Sequence, residues 1–179
     1  MAMPRFIKRS LIIVLLAAPA LWLVLTAEGQ RRADLFILGI GGEPDIPLSF
    51  DRLHPDIPPE QLRKEQPELE LVCSEKNTAF GARLCQAPIA GINGTPARYI
   101  IFYYGPKQLN AIKIGYQRSY HGRIVKQLRQ TLGTPEQSQQ PDGMINQWPA
   151  GEGMVVMPES LGEQQEPALM WLARGRNSP

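Results

Sequence analysis

The sequence predicts an α+β fold, a two-layer domain with a mainly antiparallel sheet and two helices on one face, preceded by an N-terminal transmembrane helix. Three observations carry this. Helical and strand patterns follow one another in the order helix, strands, helix, strands. The links between strands are of hairpin length, which forces antiparallel pairing because parallel neighbours need long crossovers. Finally, the eighteen residues between Arg9 and Glu28 carry no charge and follow directly on Arg5, Lys8 and Arg9.

At a rise of about 1.5 Å per residue the uncharged run extends roughly 27 Å, close to the ~30 Å hydrocarbon core of a bilayer. Basic residues lie only on its amino-terminal side, whereas the other flank mixes Glu28 and Asp34 with Arg31 and Arg32. This asymmetry places the amino terminus in the cytoplasm and everything after Ala27 outside it. The expected location is a bacterial inner membrane, crossed once by residues 10–27, with the C-terminal domain in the periplasm. A cleaved signal peptide is the alternative. Ala18-Pro19-Ala20 supplies the small residues such a cut needs but leaves apolar residues 21–25 beyond it, and Leu25-Thr26-Ala27 puts leucine at the first small-residue position. No cysteine follows the segment, which argues against lipoprotein processing. The chain then divides into a stub and anchor at 1–27, an irregular tether at 28–56, an exported α+β domain at 57–173 and a flexible tail at 174–179.

The 152 residues from Glu28 onward suffice for one domain. Seventeen prolines and sixteen glycines in the chain predict many turns and short elements. Cys73 and Cys85 are the only cysteines, so in an oxidising compartment they are expected to form a disulfide. Their spacing, with His54 and His121 far to either side, matches no metal-ligand pattern, and neither a metal nor a cofactor is expected.

Within 28–56, Gly39-Ile-Gly-Gly42 lacks the third glycine of a dinucleotide loop and runs into Glu43-Pro44-Asp45, which is turn chemistry. Residues 56–66 combine an acidic cap candidate, Asp56, with early prolines and good helix formers before Pro67 stops them, predicting a short helix. Residues 69–73 and 80–85 read as strands around a turn at Lys76-Asn77-Thr78, a pairing that brings the cysteines into bonding range. Asn93-Gly94 is a strong hairpin signal. It explains that stretch without invoking the glycosylation sequon that Asn93-Gly94-Thr95 also spells. The aromatic and β-branched run 98–104 is the next strand, read as core, and 111–116 alternates as a half-buried strand should. Tyr120, Ile124, Leu128 and Leu132 recur every four residues, an amphipathic helix capped by Ser119 and ended by Gly133 with Pro135 beyond. After a polar loop, residues 144–148, 154–157 and 168–172 form three more strands.

Charge is segregated. Between Glu75 and Glu136 there is no acid but nine bases, and residues 136–166 hold six acids and no base. A basic face built on segment 76–129 is expected to meet an anionic lipid surface or an acidic partner, with Arg118, Arg123, Lys126 and Arg129 as the candidate binding residues. The competing reading is that the two segments neutralise each other in the fold. Nucleic acid is not an expected partner, because the aromatic run alternates as core rather than as a stacking platform. His121 is the best available general base, but no nucleophile motif accompanies it, so no catalytic residue is assigned. A hydrolytic role for His121 is the last of three readings.

Pro59-Glu-Gln-Leu62, the two cysteines, the stretch from Ile124 to Pro135 and Asn146-Gln-Trp148 give a helix-plus-hairpin unit, an amphipathic helix and a Trp-bearing strand. Over residues 57–172 this arrangement resembles the exported β-lactamase-inhibitor-protein-like modules, the class that includes BamE. The chain departs from BamE in lacking a lipidated cysteine. The resemblance implies a small, non-catalytic module that presents a sheet face or its loops to another protein. The leading expectation is therefore a membrane-anchored binding module for an envelope protein or complex.

Overall fold

The computed structural model describes residues 17–18, 21–22, 25–106, 108–141 and 143–175. In chain order the elements are α1 (Ala27–Gly39), β1 (Asp45–Ile46), α2 (Pro59–Glu65), β2 (Val72–Thr78), β3 (Gly81–Pro88), β4 (Gly91–Ile92), β5 (Thr95–Tyr104), β6 (Leu109–Tyr116), α3 (His121–Leu132), β7 (Glu136–Gln140), β8 (Gly143–Ala150), β9 (Gly153–Pro158) and β10 (Ala168–Ala173). Single 3-10 turns occupy Phe50–Arg52 and Arg118–Tyr120. The fold is α+β and its sheet is mostly antiparallel, with three helices among the described residues rather than the two expected for the domain.

Eight strands form the main sheet in the order β2-β3-β5-β6-β10-β9-β8-β7, and the two-residue strands β4 and β1 attach beside the start of β5. Only β1 with β4 is parallel among the described pairs. The order exposes a repeat: α2 precedes the meander β2-β3-β5-β6, α3 precedes the meander β7-β8-β9-β10, and the last strands of the two halves pair antiparallel. Cys73 opposite Cys85 in the first half corresponds to Gln137 opposite Asn146 in the second. The cysteines are bonded, and Gln137 Nε2 donates to Asn146 Oδ1 at 3.2 Å.

Strand alternation sends one set of side chains to the helical layer. Cys85, Phe102, Ile112, Trp171, Val155 and Trp148 lie in one transverse row across six strands, and all are buried. Leu62 of α2 and Ile124 and Leu128 of α3 are buried in the same core. Two indoles that would otherwise bury a bare N–H are satisfied by backbone: Trp171 Nε1 donates to Ala150 O and Trp148 Nε1 to Gly133 O, each at 2.9 Å. Gly153 makes the first possible, since a Cβ there would stand 2.6 Å from Trp171 Nε1.

The segment 28–56, expected as an irregular tether, is instead part of the domain. Ile46, Phe50 and Leu53 join the core as a strap that borders α3 on one side and α2 on the other. Helix α1 is capped by Thr26, whose Oγ1 accepts from Gly29 N at 2.9 Å, and it docks through polar contacts. Arg31 donates to Gly94 O, Asp34 accepts from the buried Tyr120 hydroxyl at 2.6 Å, and Glu28 takes Arg31 and, at 3.5 Å each, Arg32 and Arg123. Pro44, Pro47 and Pro55 interrupt the apolar residues of the strap, which is why it reads as a tether.

The Arg31 side chain first, and the charges of Arg31 and Arg123 with it, hold the Glu28 carboxyl down at about 2. A carboxyl lowered on folding stabilises above its ordinary value and loses that contribution as pH falls through its folded value. Acid is therefore expected to loosen α1 between pH 4.5 and about 2. Amide NMR signals of residues 27–39 should shift through that window in the native chain and show no such transition in Glu28→Gln.

Three further expectations are corrected. Ser119 does not cap the second long helix: it lies exposed in the 3-10 turn, and the cap position falls to Tyr120 with no side-chain bond. Asp56 likewise cedes the cap of α2 to Pro58. The polar loop after Pro135 contains β7, an edge strand held by backbone pairing with β8. The Asn93-Gly94 turn forms as expected, with φ of 49° and 72°. Most of the uncharged run 10–27 and residues 176–179 lie outside the described residues; among those described, no helix is long and apolar enough to cross a membrane.

Candidate functional site

Among the described residues, no helix lies over the side chains that alternate away from the core. One row runs through all eight strands as Val72, Gln86, Ile101, Lys113, Met170, Val156, Gln147 and Glu136. The next row runs through seven strands and centres on Leu84, Tyr103, Ala111, Leu172 and Met154. Toward the middle of the sheet the larger of these side chains are half-buried by their neighbours, whereas Gln86, Glu136 and Val72, the last 65% exposed, are exposed. All three helices lie away from this surface: α2 and α3 pack on the core rows, and α1 docks at the β4–β5 turn and Tyr120.

One end of the open face carries a polar rim. Glu166, in the loop between β9 and β10, accepts from the Tyr99 hydroxyl and from Lys113 Nζ, both at 2.5 Å. The Lys113 ammonium, then the Tyr99 hydroxyl, keeps Glu166 ionised below the usual carboxylate range, and Tyr99 is pushed up by burial and by Glu166. The Tyr99 ring lies across Gly115, where a Cβ would come within 2.3 Å of it. Beside this rim a hollow of about 490 Å³ is lined by Val72, Gln86, Pro88, Arg98, Tyr99 and Ile101 together with Lys113 and Glu166.

The candidate basic residues do not form one surface. Arg118 donates to the carbonyls of Leu161, Gly162, Glu163 and Gln165 at 2.8–3.2 Å, so it clasps the loop that carries Glu166. Arg123 pairs with Glu28 at 3.5 Å and shares a cleft with Lys126 on α3. Arg129 is exposed and outside that cleft. In segment 76–129, Arg83 and Lys113 are also paired, with Glu75 and Glu166, while Lys107 lies outside the described residues. The pairing of Lys113 with Glu166, and of Arg118 with its loop, joins the basic segment to the acidic one.

His121 uses both ring nitrogens structurally. Nδ1 faces the Tyr116 hydroxyl at 2.8 Å and Nε2 faces Glu159 O at 3.1 Å, tying the start of α3 to the end of β9. A carbonyl oxygen can only accept, so Nε2 carries the proton of the neutral ring and Nδ1 accepts from the Tyr116 hydroxyl. Cys73 and Cys85 are joined with their Cα atoms 4.0 Å apart. Among the described residues no three His, Cys, Asp or Glu side chains converge as a metal site would require.

The open face is what sequence reasoning missed. The run 98–104 reads as core, yet only Ile100, Phe102 and Tyr104 are core, and Tyr99, Ile101 and Tyr103 face outward. The available signal is apolar residues at both parities of β5, β9 and β10 in a chain with helix enough to cover one face. The chain matches no family model, and no curated protein or solved structure matches it.

Proposed function

We propose that this chain is a non-enzymatic binding module that holds an envelope protein or complex against its open sheet face, tethered to the bacterial inner membrane through residues 10–27. The observation that carries the reading is a sheet face that no described helix covers, with one row mixed and the next, through Leu84, Tyr103, Ala111, Leu172 and Met154, apolar. At about 4.8 Å between strands the face is roughly 34 Å wide, the scale of a stable interface that buries about 800 Å² per partner. Its centre is mainly aliphatic and aromatic, with one charge, Lys113, that Glu166 pairs, and Glu136 lies at the far edge. The resemblance to β-lactamase-inhibitor-protein-like modules leads to the same kind of partner, and the uncharged, basic-flanked N-terminal run supports the membrane tether.

Ile101 and Met170 stand on either side of Lys113 in the first row. Changing both to glutamate puts two charges in the middle of the face while leaving every core side chain in place. In membranes solubilised gently and run on native gels, the double variant is expected to leave its higher-mass complex at least tenfold more readily than the native chain, consistent with central positions worth 2 kcal/mol or more. A variant that migrates in the same complex as the native chain would refute the reading.

A further inference from the structure

We propose that the cleft between α3 and the β4–β5 turn binds a single-chain anionic amphiphile, with its alkyl chain in the cavity beneath the strap and its head on Arg123 and Lys126. The cavity, about 230 Å³, lies between α3 and residues 48–51, and its walls are largely apolar: Phe50, Ile92, Ile124, Leu128, Leu132 and Leu169. A second, more polar cleft of about 400 Å³ adjoins it, and Asn93 and Gln127 line both. Arg123, Lys126 and Gln130 line only the polar cleft. An apolar slot that opens on two cations matches a ligand with an apolar tail and an anionic head.

The mouth is built rather than incidental. Asn93 is locked by Leu48, which donates its N–H to Oδ1 at 2.9 Å and accepts from Nδ2 at 2.8 Å. Gln127 Oε1 accepts from the buried Thr95 hydroxyl at 3.2 Å, which leaves Nε2 as a donor at the junction of the two spaces. The same contacts occupy the sequon: the Asn93 amide is bonded to Leu48 and Thr95 is buried, so the turn serves the cleft and not glycosylation.

Charge sets the orientation. Glu28 pairs with Arg123 but is shared with Arg31 and Arg32, Asp34 and Asp45 are taken up by Tyr120 and by Gly94 N, and Lys126 makes no ion pair among the described residues. The one acid on the cavity wall is Asp51, on the strap, where it would repel an anionic head and send the head to the Lys126 end. An inorganic anion would leave the apolar walls in contact with water, and a neutral alkyl chain would leave the cations unused.

The test titrates octyl phosphate, octanol and inorganic phosphate into the full chain held in nanodiscs of neutral lipid, with empty nanodiscs subtracted. Octyl phosphate is expected to bind once per chain and at least tenfold more tightly than either of the others. Lys126→Glu should weaken it at least tenfold with thermal unfolding unchanged, and Gln130→Glu, which touches only the polar cleft, should weaken it in the same direction. Equal binding of octyl phosphate and octanol, equal binding of octyl phosphate and inorganic phosphate, or indifference to both substitutions would overturn the proposal.

Discussion

Trp171→Ala is expected to destabilise the domain by about 4 kcal/mol, the range for removing a fully buried indole, while Leu172→Ala, the next residue, costs under about 1 kcal/mol. Trp171 is 0% exposed, sits opposite Ile112 and Val155 in the central row and closes a hydrogen bond to Ala150. It also lies on β10, the strand through which the second meander meets the first, so its loss opens the junction of the two halves. Leu172 points the other way, into the row that no described helix covers. For a domain of this size the alanine change at Trp171 should lower the melting temperature by roughly 10 °C. Thermal unfolding of the two variants side by side checks the one-sided burial of the sheet; equal losses would mean that both faces are covered.

The second large effect is at the disulfide. Replacing both cysteines with alanine is expected to cost about 3 kcal/mol, the chain-entropy estimate for a loop of this length. The bond lies between β2 and β3, and β2 is an edge strand whose one sheet partner is β3. Without it β2 keeps its backbone pairing, the exposed Glu75–Arg83 pair at 3.7 Å and the Thr78 hydroxyl's bond to Gly81 O at 2.9 Å, while the 3.5 Å contact of Arg63 with Cys73 Sγ is lost with the sulfur. Denaturant unfolding with and without reductant measures this: the native chain should lose its margin when reduced, the alanine variant should be indifferent to reductant, and thiol labelling should detect no free cysteine until reductant is added. Equal midpoints for native and reduced protein would show that β2 is held by something else.

The helix of Ile124 and Leu128, the Asn93-Gly94 turn, the central strands and the cysteine pair were legible because each leaves a local mark: a fourfold recurrence, a turn dipeptide, an apolar alternation, an isolated pair. Other elements leave none. Strand β7 is Glu-Gln-Ser-Gln-Gln, which no hydrophobic period could identify; it exists because β8 offers an unpaired edge. The strap enters the core through Ile46, Phe50 and Leu53, whose i, i+4, i+7 spacing is broken by Pro47 and makes no helix, because the gap between α2 and α3 needs apolar cover. Arg118 looks like a solvated charge, but its partners are four backbone carbonyls more than forty residues away. The open face failed for a different reason: a strand apolar at both parities looks the same whether its second face is buried in its own domain or kept for another molecule.

Site-resolved photocrosslinking in intact cells tests the central claim most directly. With a photoreactive residue placed in turn at Ile101, Met170 and Leu172 on the open face, and at Glu60, Gln130 and Arg129 on the helical layer, discrete adducts to one envelope protein are expected at the first three positions and not at the others. Adducts confined to the helical positions, or none at any open-face position, would contradict the account.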